Sequence, residues 1–459
     1  MKQAEFQISL FDGDHKLTIN KPIRLIELFA GYGSQALALK YLGVNFEHWK
    51  ICEWAVKSIQ AYKDVHFDDD NTDYSETKTQ DEIINYLYSK GISANYNEPM
   101  TIEQIKRLGE QKQRTIYNNI VATHNLVSVC NCHASDLDIS DTDKYTYIMT
   151  YSFPCQDLSA AGKKLGMAKG SGTRSGLLWE VERILDECNG KLPQILLMEN
   201  VPDVIGAKNS EHFAKWLQKL DSLGYKSKWE ILNAKDYGVP QNRERCFMVS
   251  WLGNCYYDFP QKQKLKLRLK DMLETKVDEK YYLSQKGIEY FDKKRDRMVD
   301  KTTTDEEPKL IQAPHGQYNG EINDANILPT LCTVSITNWH YTLQERQEPK
   351  CIQQGTLSGG KWDKMLDCNK RYYNVNGISN TITTCGGGNT EPKIAEPNRF
   401  YEQGYAIRKL TPRECFRLMG VKDEDFDKVE KNQSNSSLYH LAGDSIVVDV
   451  LMAIFGQML

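Results

Sequence analysis

The sequence has no continuous apolar run near the ~18 to 20 residues that a membrane-spanning helix needs. Its first residues, "MKQAEFQISLFDGDHK", mix charges in a way that secretory signal peptides do not. A disulfide framework is also missing. The 12 cysteines are scattered along the chain, which suits a reducing, cytoplasmic setting. The one tight pair, Cys130 and Cys132 before His133, has no second half to complete a zinc site, so no metal is expected. No repeat recurs at a solenoid period. Nor is there a strong overall charge: the formal net charge is -4. That value neither indicates nor excludes nucleic acid, because binding depends on where charge lies.

What is present is an ordinary globular composition, 40% hydrophobic and 26% charged over 459 residues, enough for about two to three domains. The first part alternates between strand and helix patterns. "PIRLIELFAG" reads as a buried strand, "SQALALKYLG" as a helix closed by glycine, "NFEHWKICEW" as a second strand and "AVKSIQAYKDVH" as a second helix. Residues 64–129, acidic at first and then helical in period, read as an insertion. Alternation resumes with "YTYIMTYSFP", "SGLLWEVERIL", "QILLMENV", "EHFAKWLQKLDSLG" and the strand pair "YKSKWEILNA" and "RCFMVSW". This pattern implies α/β architecture with a mainly parallel sheet covered on both faces.

Beyond residue 257 the pattern changes. Residues 258–403 hold Gly, Pro, Asn and Thr clusters between short β-type stretches, which predicts a smaller, irregular, mainly β domain. Its first part is basic, with thirteen Lys and Arg against eight Asp and Glu over 261–301. The run "KQKLKLRLK" within it alternates like a strand with one cationic face. Helical periodicity returns in 404–459, where Thr411, Pro412 and Glu414 form a strong helix start.

Two stretches carry chemistry. In "ELFAGYGSQA" the spacing Gly31-Tyr-Gly33-x-x-Ala36, with Glu53 downstream, fits a turn that lets backbone approach an adenosine-containing cofactor. NAD and S-adenosylmethionine satisfy it equally, and a plain tight turn competes with both. In "SFPCQ", Cys155 follows a proline at the end of an apolar run. Alone, it is a small core residue or a nucleophile.

Order and company decide between these readings. "SFPCQ", "MENV", "QNRERCFMV", "RKLTPRECFRLMG" and "AGDSIVV" follow one another, and "GSGTRSGLLWEVERIL" lies among them. The set resembles the cytosine-5 DNA methyltransferase family, of bacterial or phage type and S-adenosylmethionine-dependent. The resemblance covers all but residues 64–129 and 258–403. It implies a Rossmann-like methyltransferase domain from 1–257 and 404–459, interrupted by a target-recognition domain at 258–403.

It also implies roles. Cys155 matches the nucleophile that adds to carbon 6 of cytosine, a task that suits a thiolate. Glu199, in "MENV", matches the carboxyl at ring nitrogen 3; donating there calls for a protonated acid. Arg245 matches the arginine at oxygen 2, where charge develops, and Arg243 its neighbour, which steadies the loop or a phosphate. Phe29, Ala30, Gly31 and Gly33 match cofactor-facing positions, as do Glu53 for the ribose hydroxyls, Trp54 for adenine and Asp136 for the adenine amino group. Asp138 rivals Asp136. Leu177 and Ser445 complete the implied pocket, whereas Asp444 stands where the family usually has Asn.

A target carbon inside a stacked duplex requires the base to be flipped out. Gln156 and Ser159, beside the nucleophile, are implied DNA contacts. So are Thr381, Ile382 and Gly386, Gly387 and Gly388 in "SNTITTCGGGNTEPKI". The implied partner is double-stranded DNA, met by a monomer, with a cognate restriction endonuclease as a candidate companion. Two alternatives stay in view. A tRNA-methylating branch shares the Pro-Cys-Gln core but carries a Cys-Phe-Thr tripeptide absent here. A non-catalytic DNA-binding relative would lack Cys155 or Glu199, and both are present.

Overall fold

"IRLIEL" is a run of branched and apolar residues around Glu27, and in the computed structural model it is strand β1, Ile23–Leu28, buried at every position. The structure describes residues 15–154, 166–170, 173–282, 310–312, 322–323, 340–342, 350–358, 360–384, 390–397 and 405–459. The other strands around β1 are β2 (Phe46–Cys52), β3 (Thr146–Tyr151), β4 (Ile195–Asn200), β5 (Tyr225–Asn233) and β6 (Glu244–Leu252). They form one sheet in the order β2-β1-β3-β4-β6-β5. β2, β1, β3 and β4 run parallel, while β6 is antiparallel to both of its neighbours. Every residue of β3 and β4 is buried as well, as expected where helices cover both faces.

Helix α1, Ser34–Tyr41, follows β1 directly, and α2, Val56–His66, follows β2. The segment between β2 and β3 then supplies α3 (Gln80–Lys90), α4 (Ile102–Lys106) and α5 (Glu110–Ala122). Thr79 with Glu82 and Thr101 with Gln104 close reciprocal capping boxes that fix where α3 and α4 start. These helices pack against α2 in a separate apolar cluster, built from Ile83, Leu87, Ile105, Ile116 and Ile120 with Ile59 of α2.

The chain divides into two compact units. One comprises 1–275, 379–391 and 410–459; the other comprises 276–378 and 392–409. The C-terminal residues thus fold with the N-terminal sheet. Helix Val448–Phe455 packs on α1, Met458 O accepts from Ile19 N at 2.6 Å, and Tyr32 donates to Ser445 Oγ at 2.8 Å. Together with helix Asn435–Asp444 this stretch is long and apolar enough to cross a membrane, but 67% of it is buried within the fold. Thr411 does cap helix Pro412–Arg417, with Glu414 completing the box.

Residues 262–270 correct one expectation. They form no strand: Leu265 and Leu269 are buried, but Leu267 is 40% exposed. The alternation does not mark one inward face, because no neighbouring strand pairs there to flatten the backbone. Residues 258–275 instead lie along the first unit, where Gln263 N donates to Asp236 O at 2.8 Å and Arg417 donates to Met272 O at 3.0 Å.

The second unit holds two small sheets. Strands β7 (Leu310–Gln312), β8 (Ile322–Asn323) and β9 (His340–Thr342) form one. Strands β10 (Gln353–Thr356), β11 (Arg371–Asn374), β12 (Lys393–Pro397) and β13 (Tyr405–Lys409) form the other, in chain order. Leu357, Trp362, Tyr372, Ala395 and Ile407 make its core.

Candidate active site

Parallel strands deliver their C-terminal ends to one edge of a sheet, where ligands of open α/β folds bind. Here that edge collects Leu28, Cys52, Tyr151 and Asn200, the last residues of β1 to β4. Because β6 runs the other way, its first residues arrive at the same edge: Asn200 is paired with Cys246 and Glu199 with Phe247. Strand geometry alone therefore brings Phe29–Gly33, Glu53–Trp54, Ser152–Pro154, Glu199 and Arg243–Arg245 to a common rim. All of these but Gly33 and Glu244 line a cavity of about 390 Å³, within the ~300–1,000 Å³ of small-molecule sites.

The glycine turn forms one wall. Phe29 has φ 60°, Gly31 φ 57° and Gly33 φ 83°, and a bulky residue at positive φ is a mark of a constrained site. A Cβ on Gly31 would meet nothing within 4 Å, whereas one on Gly33 would strike His66 and Tyr62. Gly33 therefore serves packing, while Gly31 leaves the cavity clear. Glu53 is 8% exposed. Its Oε2 accepts from Gly31 N at 2.9 Å and its Oε1 from Ala55 N at 2.7 Å. Burial pushes its carboxyl up to about 7; those N–H groups oppose the rise and the charge of Asp444 adds to it. Each oxygen keeps lone-pair capacity for a hydroxyl donor. Trp54 and Leu177 supply apolar surface to the same cavity, while Leu178 next door is wholly buried in the core. This set of groups fits an adenosine-containing ligand.

The opposite wall is made of charged side chains. Arg245 Nε lies 3.1 Å from Glu199 Oε1, and Ser152 Oγ donates to Glu199 Oε2. Two further bonds fix the backbone just before Cys155: Asn200 Nδ2 donates to Phe153 O at 2.9 Å, and Ser175 Oγ donates to Pro154 O at 2.7 Å. Cys155 itself, with Gln156 and Ser159, lies outside the described residues, as do Gly386, Gly387 and Gly388.

A matching family model spans residues 107–459 and describes the C-5 cytosine-specific DNA methylase. The chain belongs to the C-5 cytosine-specific DNA methylase family. It is 33% identical over 444 residues to the type II methyltransferase M2.ScrFI of Lactococcus lactis subsp. cremoris, covering 95% of this chain and 99% of that one. It is 39% identical over 270 residues to the orphan methyltransferase M.SssI of Spiroplasma monobiae, covering 58% and 68%. The fold is shared with the S. pombe Dnmt2 methyltransferase, at a TM-score of 0.53 and 15% identity over 95% of this chain and 97% of that one.

Within this methylase, several motif residues have work the sequence does not announce. Arg243 is buried, and donates to Ile382 O at 2.8 Å, Gly443 O at 2.9 Å and Ser445 O at 2.7 Å. Gln241 accepts from Ile382 N at 3.1 Å and donates to Leu418 O at 2.6 Å. Together they fasten residues 379–384 and the C-terminal helices to the start of β6. Gly443 permits the crossing, since a Cβ there would lie 2.3 Å from the backbone of Thr383. Ile382 is therefore fully buried, and Thr381 donates its hydroxyl to Asn242 O at 2.7 Å.

Asp136 does not line the cavity. Its carboxylate accepts from His133 N at 2.9 Å, closing the capping box of helix α6, Ala134–Leu137, whose N-cap is His133. Asp138 is likewise absent from the lining and accepts from Ser140. Ser445 lines the cavity, and so do Asp444, His440, Tyr96 and Asn97. The last two come from the helical segment before β3, where no periodic signal marks them.

Proposed function

We propose that this methylase flips a target cytosine out of duplex DNA and methylates carbon 5 through a covalent adduct of Cys155 at carbon 6. The observation that carries the reading is the shared cavity: a buried acceptor, Glu53, on one wall and the Glu199–Arg245 pair on the other. Pro154, to which Cys155 is bonded, lines the same cavity.

The Cys155 thiolate adds to carbon 6, and Glu199 meets ring nitrogen 3, lending a proton that offsets the electron density gained by the ring. Arg245 stabilises the charge that develops at oxygen 2. After the methyl group is in place at carbon 5, solvent takes the proton from that carbon, the C–H electron pair re-forms the 5,6 double bond, and the Cys155 sulfur leaves with the C–S pair. S-adenosylmethionine, when bound, supplies the methyl group as an electrophile. Glu53 would hold its ribose hydroxyls, Trp54 and Phe29 would offer apolar surface to its adenosine, and Gly31 would leave room for it. Arg243 holds the walls together rather than touching the base. Thr381 and Ile382 are anchored within the first unit, and Gly386, Gly387 and Gly388, a few residues on, are the DNA contacts of this reading.

Transfer of labelled methyl from S-adenosylmethionine to duplex DNA or to tRNA tests this directly. Label on DNA, with bisulfite sequencing showing protected cytosines at a fixed sequence, is the expected result. Label confined to tRNA would overturn it.

A further inference from the structure

The loop 93–98, in the helical segment between β2 and β3, is stitched to the stretch that carries Glu53. Ser93 N donates to Trp54 O at 2.8 Å and Val56 N donates to Ser93 O at 2.9 Å. The turn is braced from within: Asn95 Oδ1 accepts from Asn97 N at 2.9 Å and Glu98 N at 3.2 Å, and Ser93 Oγ donates to Glu98 O at 2.7 Å. This bracing holds Tyr96 at φ 62°, a conformation uncommon for a bulky side chain. The ring it presents lies 4.1 Å from the ring of His440, centroid to centroid. His440 Nε2 in turn sits 2.9 Å from Asp444 Oδ2. Next along the loop, Asn97 accepts from the guanidinium of Arg174. Ser58, Tyr96, Asn97, Arg174, His440 and Asp444 all line the cavity that holds Glu53.

Three distant segments thus meet over one cavity through this loop. A strained tyrosine with no core to fill needs a reason for its position. Its hydroxyl lies 3.5 Å from Ser58 Oγ and its ring is packed against His440, which leaves the other face of the ring to the cavity contents. We propose that loop 93–98 is the outer wall of the cofactor site: Tyr96, backed by His440, packs on bound S-adenosylmethionine, and the Asn97–Arg174 contact closes the rim. The helical segment between β2 and β3 then serves cofactor retention. The inference rests on the cavity being the S-adenosylmethionine site.

Calorimetric titration of the full chain with S-adenosylmethionine, and stopped-flow measurement of its release, separate the two claims. Tyr96→Ala should weaken binding ~3- to 10-fold, the worth of one aromatic contact, and Tyr96→Phe, which keeps the ring, should restore it. Asn97→Ala, at an exposed position, should speed release several-fold while thermal melting stays as in the unaltered protein. Glu53→Ala is the reference for the site itself. Wild-type affinity in Tyr96→Ala together with weakened binding in Glu53→Ala would overturn the wall and leave the site standing. Unchanged binding in both variants, or no binding by the unaltered chain, would overturn the site and the wall together.

Discussion

The two walls of the cavity hold their carboxylates in opposite ways. Glu53 is gripped by backbone N–H groups of Gly31 and Ala55, which cannot leave without unravelling the turn. Glu199 is held by side chains, Arg245 and Ser152, which can swing. The first arrangement is a preformed receptor. The second is provisional: Glu199 and Arg245 satisfy each other, and under the proposed function they would re-aim together toward a base. Under that function the site would take a small cofactor from solution but a base from a duplex, and the walls have reason to differ in this manner, because only a base would bring new hydrogen-bond partners for both Glu199 and Arg245.

Removing a member of the provisional wall should give the larger kinetic effect. Arg245→Ala is expected to lower kcat/KM on DNA by roughly 3 to 4 kcal/mol, as for loss of an oxyanion-hole donor, while the calorimetric Kd for S-adenosylmethionine stays within about twofold. An equal loss in both measurements would erase the distinction between the walls. The preformed wall should reveal itself through pH. Burial raises the Glu53 carboxyl to about 7, so protonation competes with ligand as pH falls. Only the carboxylate accepts two hydroxyl donors, so affinity should be level above that value and decline below it, approaching ~10-fold per pH unit. Glu53→Gln should flatten the profile. A profile in the unaltered protein that declines toward alkaline pH would contradict the assigned acceptor.

The part of this architecture legible in the sequence is the part written in local signals. Six buried residues in β1, a glycine turn and the Thr411 cap announce themselves within a few positions, and five short motifs in one order identify the family. What was not legible depends on contacts across hundreds of residues. Arg243 reads as a catalytic neighbour, yet its partners are the carbonyls of Ile382, Gly443 and Ser445, which no periodicity connects to it. Ile382 reads as a DNA contact but is buried beneath that clasp. Tyr96 sits in a polar loop whose cues are only the turn formers Asn95, Asn97 and Pro99. The run at 262–270 misled because alternation signals a strand only where a neighbour pairs with it, and none does.

The central claim is that Cys155 forms a bond to the target base, and a duplex carrying 5-fluorocytosine tests it most directly. Fluorine at carbon 5 cannot depart as a proton does, so the enzyme should stall after methyl transfer as an adduct stable to denaturant. On denaturing gels the unaltered protein should give a shifted band that depends on S-adenosylmethionine, Glu199→Gln should form it far more slowly, and Cys155→Ala should form none. A band of equal intensity in Cys155→Ala would show that another residue attacks the base.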